Sequence, residues 1–318
     1  MSKGRDGGAE LNLRSFAKIN LSLDVTGVRA DGYHLVETVM QQVSLYDEIN
    51  IRWEPVLGKE LEIAVSNTKP YLPRDSRNLA YKAALVMAEQ AEIRTGKRPQ
   101  GTLRMHINKR IPVAAGLGGG SSNAAAVMTG LNRIWRLRLD TRKLCNIGTP
   151  LGADVPFCIL VQNSRYTCAL CTGIGEVLTP IKRGMNKHIV LAKPAYGVST
   201  KEVFREIDSC PPVQRPETEV LAEGLSRRDM GKVYPNMINV LESYTLKHYP
   251  EVNILKEKLG DAGYAQKILM SGSGPTVIGI YNRCGTARRA CLEMRRQGYE
   301  AYWVHTGKDI RGEKNAKL

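Results

Sequence analysis

The sequence has no apolar run that approaches the roughly 20 residues required by a membrane-spanning helix. It also has no internal repeat and no low-complexity segment. Its first ten residues, MSKGRDGGAE, are polar and lack the apolar core of a signal peptide. These absences argue against membrane, repeat and secreted proteins, and they predict a cytoplasmic protein without a membrane partner.

Aromatic residues make up only 6% of the chain, whereas the net charge is +15, from 46 basic and 31 acidic residues. A positive surface attracts anionic partners, either nucleic acids or phosphorylated metabolites. A nucleic-acid-binding protein would show a clustered basic stripe or a recognition module. Here the basic residues are dispersed apart from short groups, such as Arg288–Arg289 and the tail from Lys308 to Lys317. Charge alone decides nothing between these partners. Because aromatic residues are few and no recognition module appears, we expect no nucleic acid and keep a basic nucleic-acid-binding protein as the alternative of a different class.

Cysteine and histidine show no spacing that is typical of a metal site. Cys168 and Cys171 form a C-x-x-C pair, but no second close pair completes a tetrahedral zinc site. The five histidines are scattered as well. We expect the seven cysteines to be reduced and packed.

Hydrophobic periodicity predicts a mixture of strands and helices. Alternating patterns predict strands at 11–25, 43–52, 61–66 and 101–110. Helical patterns cover 78–94, 121–135, a stretch after Asp140, 200–208, 217–229 and 235–259. Further strands are predicted at 267–281 and near 298–305. Because strands and helices do not alternate strictly, we expect the fold class to be α+β. After about residue 160 the sequence changes to strand patterns with Gly, Pro and Thr, which predicts a domain boundary near residue 160.

Residues 112–123 read PVAAGLGGGSSN and lie directly before an alanine-rich helix. A glycine-rich loop lets several backbone N–H groups approach one object, and a helix N-terminus adds unpaired N–H groups and a positive dipole end. Together they predict an anion site, most often for phosphate. The segment lacks the Gly-Lys-Ser/Thr end of a Walker A loop and the spacing of a dinucleotide fingerprint. A plain connector is the alternative, although a connector needs only one or two glycines.

Several segments resemble the GHMP kinase superfamily, which includes galactokinase, homoserine kinase and mevalonate kinase. PVAAGLGGGSSNAAA resembles its phosphate-binding motif, and ILMSGSGPTVIGIY, at 268–281, resembles its C-terminal glycine motif. AKINLSLDVTGVRADGYHLVETVMQQVSLYDEI, at 17–49, and LGADVPFCI, at 151–159, resemble one narrower branch of it. The resemblance runs from about residue 14 to 305 and keeps the order of the motifs.

The resemblance implies a two-domain α+β GHMP-kinase-like fold, with an N-terminal ATP-binding domain at 1–160, a C-terminal domain at 161–318 and the active site in the cleft between them. The narrower branch implies ATP- and Mg²⁺-dependent phosphorylation of the 2-hydroxyl of a cytidine-diphosphate-linked methylerythritol, in the non-mevalonate route to isoprenoids. Another GHMP kinase, of the homoserine or mevalonate type, is the alternative, which the A-K-I-N-L and D-G-Y-H segments disfavour. The sequence leaves the oligomeric state open.

Two residues match the catalytic positions of the family. Asp154 matches the catalytic aspartate. Without the resemblance, the same residue would be interpreted as the N-cap of the following helix. Lys18 matches the lysine that partners this aspartate, and its alternative is the solvated face of a strand. We expect the two side chains to be neighbours.

The remaining candidates bind substrate or ATP in the family. The substrate positions are Asn20, Tyr33, His34, Phe204, Gly272 and Ser273. Tyr33 and His34 are expected near the cytosine and Phe204 against the base, whereas an exposed hairpin end is the alternative for the first two. The ATP positions are Asn78, Lys82, Pro112, Ala114, Gly116, Leu117, Gly118, Gly119, Gly120, Ser121, Ser122 and Asn123. The magnesium ligands stay open: Ser122 is a candidate, and Glu176 is either a magnesium ligand or a structural carboxylate, of which we expect the structural role.

Overall fold

The structure is a computed structural model that describes residues 2–3 and 7–307. The basic tail from Lys308 to Lys317 lies outside the described residues. The strands are β1 (Ser2–Lys3), β2 (Ala9–Val28), β3 (His34–Pro55), β4 (Glu62–Asn67), β5 (Gly101–Asn108), β6 (Cys168–Thr172), β7 (Val177–Pro180), β8 (His188–Lys193), β9 (Lys267–Met270), β10 (Val277–Tyr281) and β11 (Glu300–His305).

The helices of the described residues begin with α1 and α2, which flank the glycine-rich segment. They are α1 (Leu79–Thr95), α2 (Gly119–Ile134), α3 (Thr141–Gly148), α4 (Val155–Asn163), α5 (Thr200–Glu206), α6 (Thr218–Arg227), α7 (Met230–Val233), α8 (Glu242–His248), α9 (Pro250–Asp261) and α10 (Cys284–Arg296). Short 3₁₀ helices cover Thr149–Leu151 and Ile207–Ser209. None of the helices in this part of the chain is long and apolar enough to cross a bilayer.

The chain divides into two compact units that are interleaved along the sequence. The first contains residues 1–17, 45–112 and 119–164, and the second contains 18–44, 113–118 and the chain from 165 onward. The long strands β2 and β3 therefore each contribute residues to both units. The division into domains at residue 160 stays a prediction.

The first unit places helices against a sheet. The end of β3 pairs antiparallel with β5, which pairs parallel with β4. Helix α2 is buried along most of its length and packs with α1 and α4. A Cβ at Gly130 would lie 2.7 Å from Ile51 Cδ1 and 3.0 Å from Leu13 Cδ1, so α2 approaches the strands too closely for any side chain there. This packing holds α2 closely against β2 and β3.

The second unit is built around an antiparallel sheet in the order β11-β8-β10-β9. Strand β10 carries the fully buried Tyr281, and α9 and α10 pack on the sheet. Residues 38–41 of β3 pair with β6, which pairs with β7. The core joins Leu23 of β2 to the interior of the sheet and to the helices around it.

The structure corrects two sequence-based predictions of single elements. The strand predicted at 267–281 is an antiparallel pair, β9 and β10, because Gly272 (φ +59°) and Gly274 (φ +85°) turn the chain between them. The helix predicted at 235–259 is divided into α8 and α9, since Pro250 begins a new helix and the residue before a proline disfavours the helical conformation. The seven cysteines are free thiols, as predicted.

Candidate functional site

Residues 113–118 of the glycine-rich segment form a tight turn in the second unit. Ala114, Gly116 and Gly118 have positive φ angles of 50°, 72° and 65°, which glycine adopts at little cost. A Cβ at Gly118 would lie 2.8 Å from Lys18 Cγ, and the backbone N–H of Lys18 donates to Leu117 O at 3.0 Å. The loop therefore lies directly against the candidate lysine, and glycine at position 118 permits that approach.

The two glycine motifs meet in the same unit. Ser271 Oγ donates to Gly116 O at 3.1 Å, and a Cβ at Gly116 would lie only 2.2 Å from Ser271 O. Gly272 lies opposite, where a Cβ would be 3.4 Å from Gly116 Cα and 3.5 Å from Asn20 Oδ1. The missing side chain at position 116 is what allows the two loops to touch.

Lys18 is buried, with 4% of its surface exposed, so the solvated strand face is the wrong reading for it. Its ammonium donates to Asn20 Oδ1 at 2.8 Å, two residues farther along β2 on the same face. Asn20 Nδ2 in turn donates to Thr38 Oγ1 at 2.8 Å, and the backbone N–H of Asn20 donates to Ser271 Oγ at 3.2 Å. These bonds fix the candidate lysine and asparagine on one rigid strand beside both glycine loops.

The predicted cytosine-binding residues lie in the turn between β2 and β3 and near α5. Tyr33 is 62% exposed. The His34 ring lies 5.6 Å from the Phe204 ring at 45°, and its Nε2 is 3.2 Å from Asp208 Oδ2. The structure thus brings His34 and Phe204 together and adds Asp208, while leaving the face of Tyr33 accessible to a ligand.

Ser273, at the tip of the second glycine loop, is held from two sides. Its Oγ is 2.8 Å from Thr200 Oγ1, and its carbonyl accepts from Thr245 Oγ1 at 3.4 Å. Ser273 is buried, as is Gly272. The backbone N–H groups of these two residues donate to no atom of the described residues. Since buried N–H groups are rarely without partners, this pair of donors suits a bound anion.

In the first unit, the start of α2 rests on a buried polar network. Ser122 Oγ donates to Phe16 O at 2.7 Å and accepts from Ser15 Oγ at 2.8 Å. Asn123 Nδ2 donates to Ser15 Oγ at 2.9 Å and to Asp47 Oδ2 at 2.8 Å. Both side chains point into the protein, so they fix the helix start, and direct contact of either with ATP stays a prediction.

Asp47 and Lys109 form a buried ion pair beneath this helix start. Asp47 Oδ1 also accepts from the backbone N–H groups of Arg110 and Ile111, at 2.7 and 2.8 Å. Burial lowers the pKa of the Lys109 ammonium, and the Asp47 carboxylate opposes that shift. Because a Cβ at Gly119 would lie 2.7 Å from Lys109 Nζ, the ammonium lies against the first turn of α2.

Asp154 lies immediately before α4, in the first unit and half-buried. Among the described residues its side chain makes no capping hydrogen bond to that helix, so the capping alternative is not observed. Pro156 follows within the first turn, where a missing N–H costs nothing. Lys18 belongs to the other unit, and its pairing with Asp154 stays a prediction.

The other candidates have mainly local partners. Asn78 caps α1, since its Oδ1 accepts from Ala80 N at 3.0 Å, and Lys82 is exposed on that helix. The Ser121 hydroxyl lies near Gly152, since a Cβ built at Gly152 would be 3.7 Å from Ser121 Oγ. Glu176 accepts from Ile174 N at 2.6 Å within its own turn, in keeping with the structural expectation. The ATP roles of Asn78, Lys82 and Ser121 stay predictions.

Five residues that hold the site together were missing from the sequence-based candidates. Asp47 and Lys109 lacked a signal because ion pairing between distant strand residues has no local pattern. Thr38, Ser271 and Asn239 act through hydrogen bonds that only the fold creates, although Ser271 stands inside the quoted glycine motif.

No group of three or more His, Cys, Asp or Glu side chains is arranged to hold a metal ion within the described part of the chain. Magnesium in kinases needs only one or two protein ligands, since ATP phosphates and water complete its shell. The hydroxyl of Ser122 already donates to a carbonyl, which leaves it only acceptor capacity for a cation.

In the second unit two glycine loops touch beside a buried lysine, and glycine loops can bind phosphate through their backbone N–H groups. Comparison with known families agrees. Residues 78–162 match the GHMP kinases N terminal domain, and residues 221–300 match the GHMP kinases C terminal domain. The chain belongs to the GHMP kinase family.

Among curated proteins, the chain is 46% identical to 4-diphosphocytidyl-2-C-methyl-D-erythritol kinase of Alkaliphilus metalliredigens, over 88% of this chain and 91% of that protein. It is 44% identical to the kinase of the same name from Alkaliphilus oremlandii, over 93% of this chain and 97% of that protein. The kinase of that name from Clostridium perfringens is 41% identical, over 88% of this chain and 92% of that protein. These relatives match at nearly full length.

Among solved structures, a crystal structure of 4-(cytidine 5′-diphospho)-2C-methyl-D-erythritol kinase matches with a TM-score of 0.74 and 31% identity, over 93% of this chain and 99% of that one. Homoserine kinase from Cytophaga hutchinsonii matches with a TM-score of 0.67 but only 17% identity, over 97% of this chain and 98% of that one. Mevalonate kinase of L. major, in complex with R-mevalonate, matches with a TM-score of 0.68 and 15% identity. The match covers 96% of this chain and 99% of that one. The last two share the fold alone, and the α+β GHMP fold predicted from the sequence is confirmed.

Proposed function

We propose that this chain uses ATP to phosphorylate the 2-hydroxyl of 4-diphosphocytidyl-2-C-methyl-D-erythritol, a step of the non-mevalonate route to isoprenoids. The observation that carries the proposal is the 46% identity, over 88% of the chain, to a kinase named for this substrate. Kinases of the homoserine and mevalonate type remain the alternatives, but their identities of 17% and 15% speak only for the fold.

Phosphoryl transfer requires an aligned hydroxyl, a held triphosphate and compensation of the developing charge. In the proposed reaction Asp154 accepts the proton of the 2-hydroxyl. The hydroxyl oxygen forms a bond to the γ-phosphorus, the bond from that phosphorus to the β–γ bridging oxygen breaks, and ADP leaves. Lys18 stabilises the charge near the acceptor oxygen, and Asn20 holds the Lys18 ammonium through the 2.8 Å bond.

The two glycine loops have complementary roles in this proposal. The first, from Gly116 to Gly120, surrounds the triphosphate with backbone N–H groups at the start of α2. The second offers the N–H groups of Gly272 and Ser273 to an oxygen of the transferred phosphate. Glycine is needed at 116 because a side chain there would separate the loops, and it is favoured at 272 because of the positive φ of 59°.

Substrate selection is assigned to the residues that lie near His34. The exposed ring of Tyr33 stacks on the cytosine, and His34, positioned by Phe204 and Asp208, offers a ring nitrogen to the edge of the base. Bound Mg²⁺ would compensate the charge of the triphosphate, and the Ser122 hydroxyl is the candidate that would help to hold it. We place the enzyme in the cytoplasm, acting on a small molecule without nucleic-acid or membrane partners.

The test is a coupled ADP-release assay on the purified protein with ATP, magnesium and 4-diphosphocytidyl-2-C-methyl-D-erythritol. Homoserine, mevalonate and a reaction without acceptor run in parallel. We expect turnover with the cytidylyl substrate alone. Turnover with another acceptor would keep the kinase and discard the roles of Tyr33 and His34, and no turnover with any acceptor would refute the proposal.

The roles of the two catalytic candidates are tested in the same assay. Asp154→Asn keeps the size of the side chain but removes the base, and Lys18→Met keeps its length but removes the charge. Each is expected to lose at least about 10²-fold in kcat, the range that general bases and charge stabilisers contribute. Asp140→Asn, a change at the cap of α3, is the matched control and should keep full activity. Full turnover in either catalytic variant would remove that residue from the mechanism.

A further inference from the structure

The carbonyl groups at the base of the second glycine loop share one buried donor. Asn239 Nδ2 donates to Met270 O at 2.8 Å and to Gly272 O at 2.8 Å. Both hydrogens of the amide are thereby used, one at the last residue of β9 and one inside the loop. The loop has two backbone hydrogen bonds of its own, from Ser271 N to Thr276 O and from Gly274 N to Ser271 O, and neither of them restrains the Gly272 carbonyl.

Asn239 is itself held in place by its neighbours. It is 3% exposed, and its Oδ1 accepts from Leu241 N at 3.1 Å. Its backbone is attached to β2 through Leu23, whose N–H donates to Ile238 O and whose carbonyl accepts from Val240 N, both at 2.9 Å. The amide that orients the loop is thus fixed to the strand that carries Lys18 and Asn20.

Glu242, which follows Asn239 in the chain, also bonds to Met270, the last residue of β9. Glu242 Oε1 accepts from the backbone N–H of Met270 at 2.7 Å, and Lys256 holds Glu242 at 2.6 Å. On the far side of the loop, Ser271 Oγ accepts from Asn20 N and donates to Gly116 O. The loop is therefore fixed at both of its faces, and the N–H groups of Gly272 and Ser273 are what remains to bind a ligand.

We infer that Asn239 is a positioning residue for phosphoryl transfer: its amide sets the direction of the Gly272 and Ser273 N–H groups relative to Lys18 and Asn20. The inference rests on the proposed function, which assigns those N–H groups to the transferred phosphate. An asparagine is required because two acceptors must share one side chain with two donors. An aspartate at this position has the same shape, but the oxygen that replaces Nδ2 would face the two carbonyl oxygens.

The test is Asn239→Asp in the full chain, with Asn253→Asp as the matched control. Asn253 lies on α9 of the same unit, is half-buried, and its side chain bonds only to Glu257 in the described structure. For Asn239→Asp we expect kcat to fall about 10- to 100-fold, since a misplacement near 1 Å has effects of this size. The KM for ATP should change less than about 3-fold, because the loop acts on the group being transferred. The control should keep both constants.

The pH dependence distinguishes positioning from a general loss of packing. A buried carboxyl that faces carbonyl oxygens has a raised pKa and donates through its O–H once protonated. Glu242 is the other carboxylate of this segment, and Lys256 and Lys267 are the nearby cations that work against protonation. The kcat of Asn239→Asp, divided by that of the parent at each pH, should therefore rise from pH 8 to pH 6. A flat ratio would contradict the assignment.

Folding is followed by thermal unfolding, with Asn239→Ser, which keeps one donor, as the second variant. A folded variant with parental kcat overturns the proposal, and so does loss of the fold in both variants. If the parent phosphorylates no acceptor, the proposed function fails, and Asn239 is then judged by hydrogen exchange. Asn239→Asp should accelerate exchange in residues 271–276 but not in α10, whereas unchanged exchange would overturn the positioning role.

Discussion

The hydroxyl of Ser271 donates to the carbonyl oxygen of Gly116, and this one bond joins two glycine-rich segments that are 155 residues apart in the sequence. Each segment alone is typical of a turn. Their contact puts both segments beside β2, where Lys18 N donates to Leu117 O and Asn20 N donates to Ser271 Oγ. The approach depends on the missing side chain at Gly116, which leads to the first prediction.

Gly116→Ala should damage both stability and activity. A Cβ there would lie 2.2 Å from Ser271 O, and the φ of 72° is already unfavourable for alanine. Gly96→Ala is the matched control, since Gly96 has a φ of 73° but nothing within 4 Å of its Cβ. The control should cost about 1 kcal/mol in the free energy of unfolding, and Gly116→Ala clearly more, with at least about 10-fold lower kcat/KM for ATP. Equal costs in denaturant unfolding would show that the loops separate easily.

Tyr33→Ala should raise the KM for the cytidylyl substrate more than the KM for ATP. The Tyr33 ring is 62% exposed beside His34, and stacking on a base contributes about 1–3 kcal/mol in nucleic-acid complexes. We expect a rise of about 5- to 100-fold for the acceptor. Tyr264→Ala, at a similarly exposed tyrosine, controls for the loss of a surface ring. Equal effects on both substrates would discard the stacking role.

Lys109→Met should destabilise the protein by about 3–5 kcal/mol, because it leaves the buried Asp47 carboxylate without its counter-ion. Lys59→Met removes an exposed partner of Glu62 and should cost less than about 1 kcal/mol. Both values come from urea unfolding at neutral pH. A loss below 1 kcal/mol for Lys109→Met would mean that the backbone N–H groups of Arg110 and Ile111 suffice to stabilise the carboxylate.

Tyr281→Phe should make the protein more resistant to alkali. Burial raises the pKa of Tyr281 from 10.0 to about 12, and its hydroxyl has no hydrogen-bond partner among the described residues. The folded state therefore holds this proton more tightly than the unfolded chain. Stability from this group is complete below pH 10 and is lost as the pH rises toward 12, by about 1.4 kcal/mol per unit.

The phenylalanine variant lacks this loss, so unfolding curves of variant and parent should diverge between pH 10 and pH 11. At pH 7 the variant should be equal to the parent or up to about 1 kcal/mol more stable, since an unsatisfied hydroxyl has left the core. Parallel pH dependences would mean that the hydroxyl ionises normally in the folded protein.

The sequence predicted the elements around the glycine-rich loop well, because amphipathic periodicity and Asn78 as a helix cap are local signals. It failed at 267–281, where an apolar pattern continues on both sides of a turn made by Gly272 and Gly274. At 235–259 the proline at 250 was a readable signal for a helix start that the helical pattern obscured.

The candidate site was predictable where a motif is contiguous and not where the fold assembles it. Gly116, Gly118 and Gly272 were found because glycine runs are conspicuous, and the structure gives each a close approach. Asn239 and Asp47 bond to atoms of residues 31 or more positions away, so no local sequence pattern identifies them. The same reason applies to the burial of Lys18, whose partners reach it from the loop at Leu117 and from along its own strand.

The interleaving of the two units along the chain restricts how this protein can recombine with its relatives. Residues 18–44 belong with the chain after residue 164, although more than 100 residues of the other unit separate them. A chimaera made by one crossover near residue 160 would therefore join β2 and β3 of one parent to the second-unit core of the other. Exchange of a whole unit needs crossovers at residues 17, 44, 112, 118 and 164, so substitutions in these segments must be inherited together to stay matched.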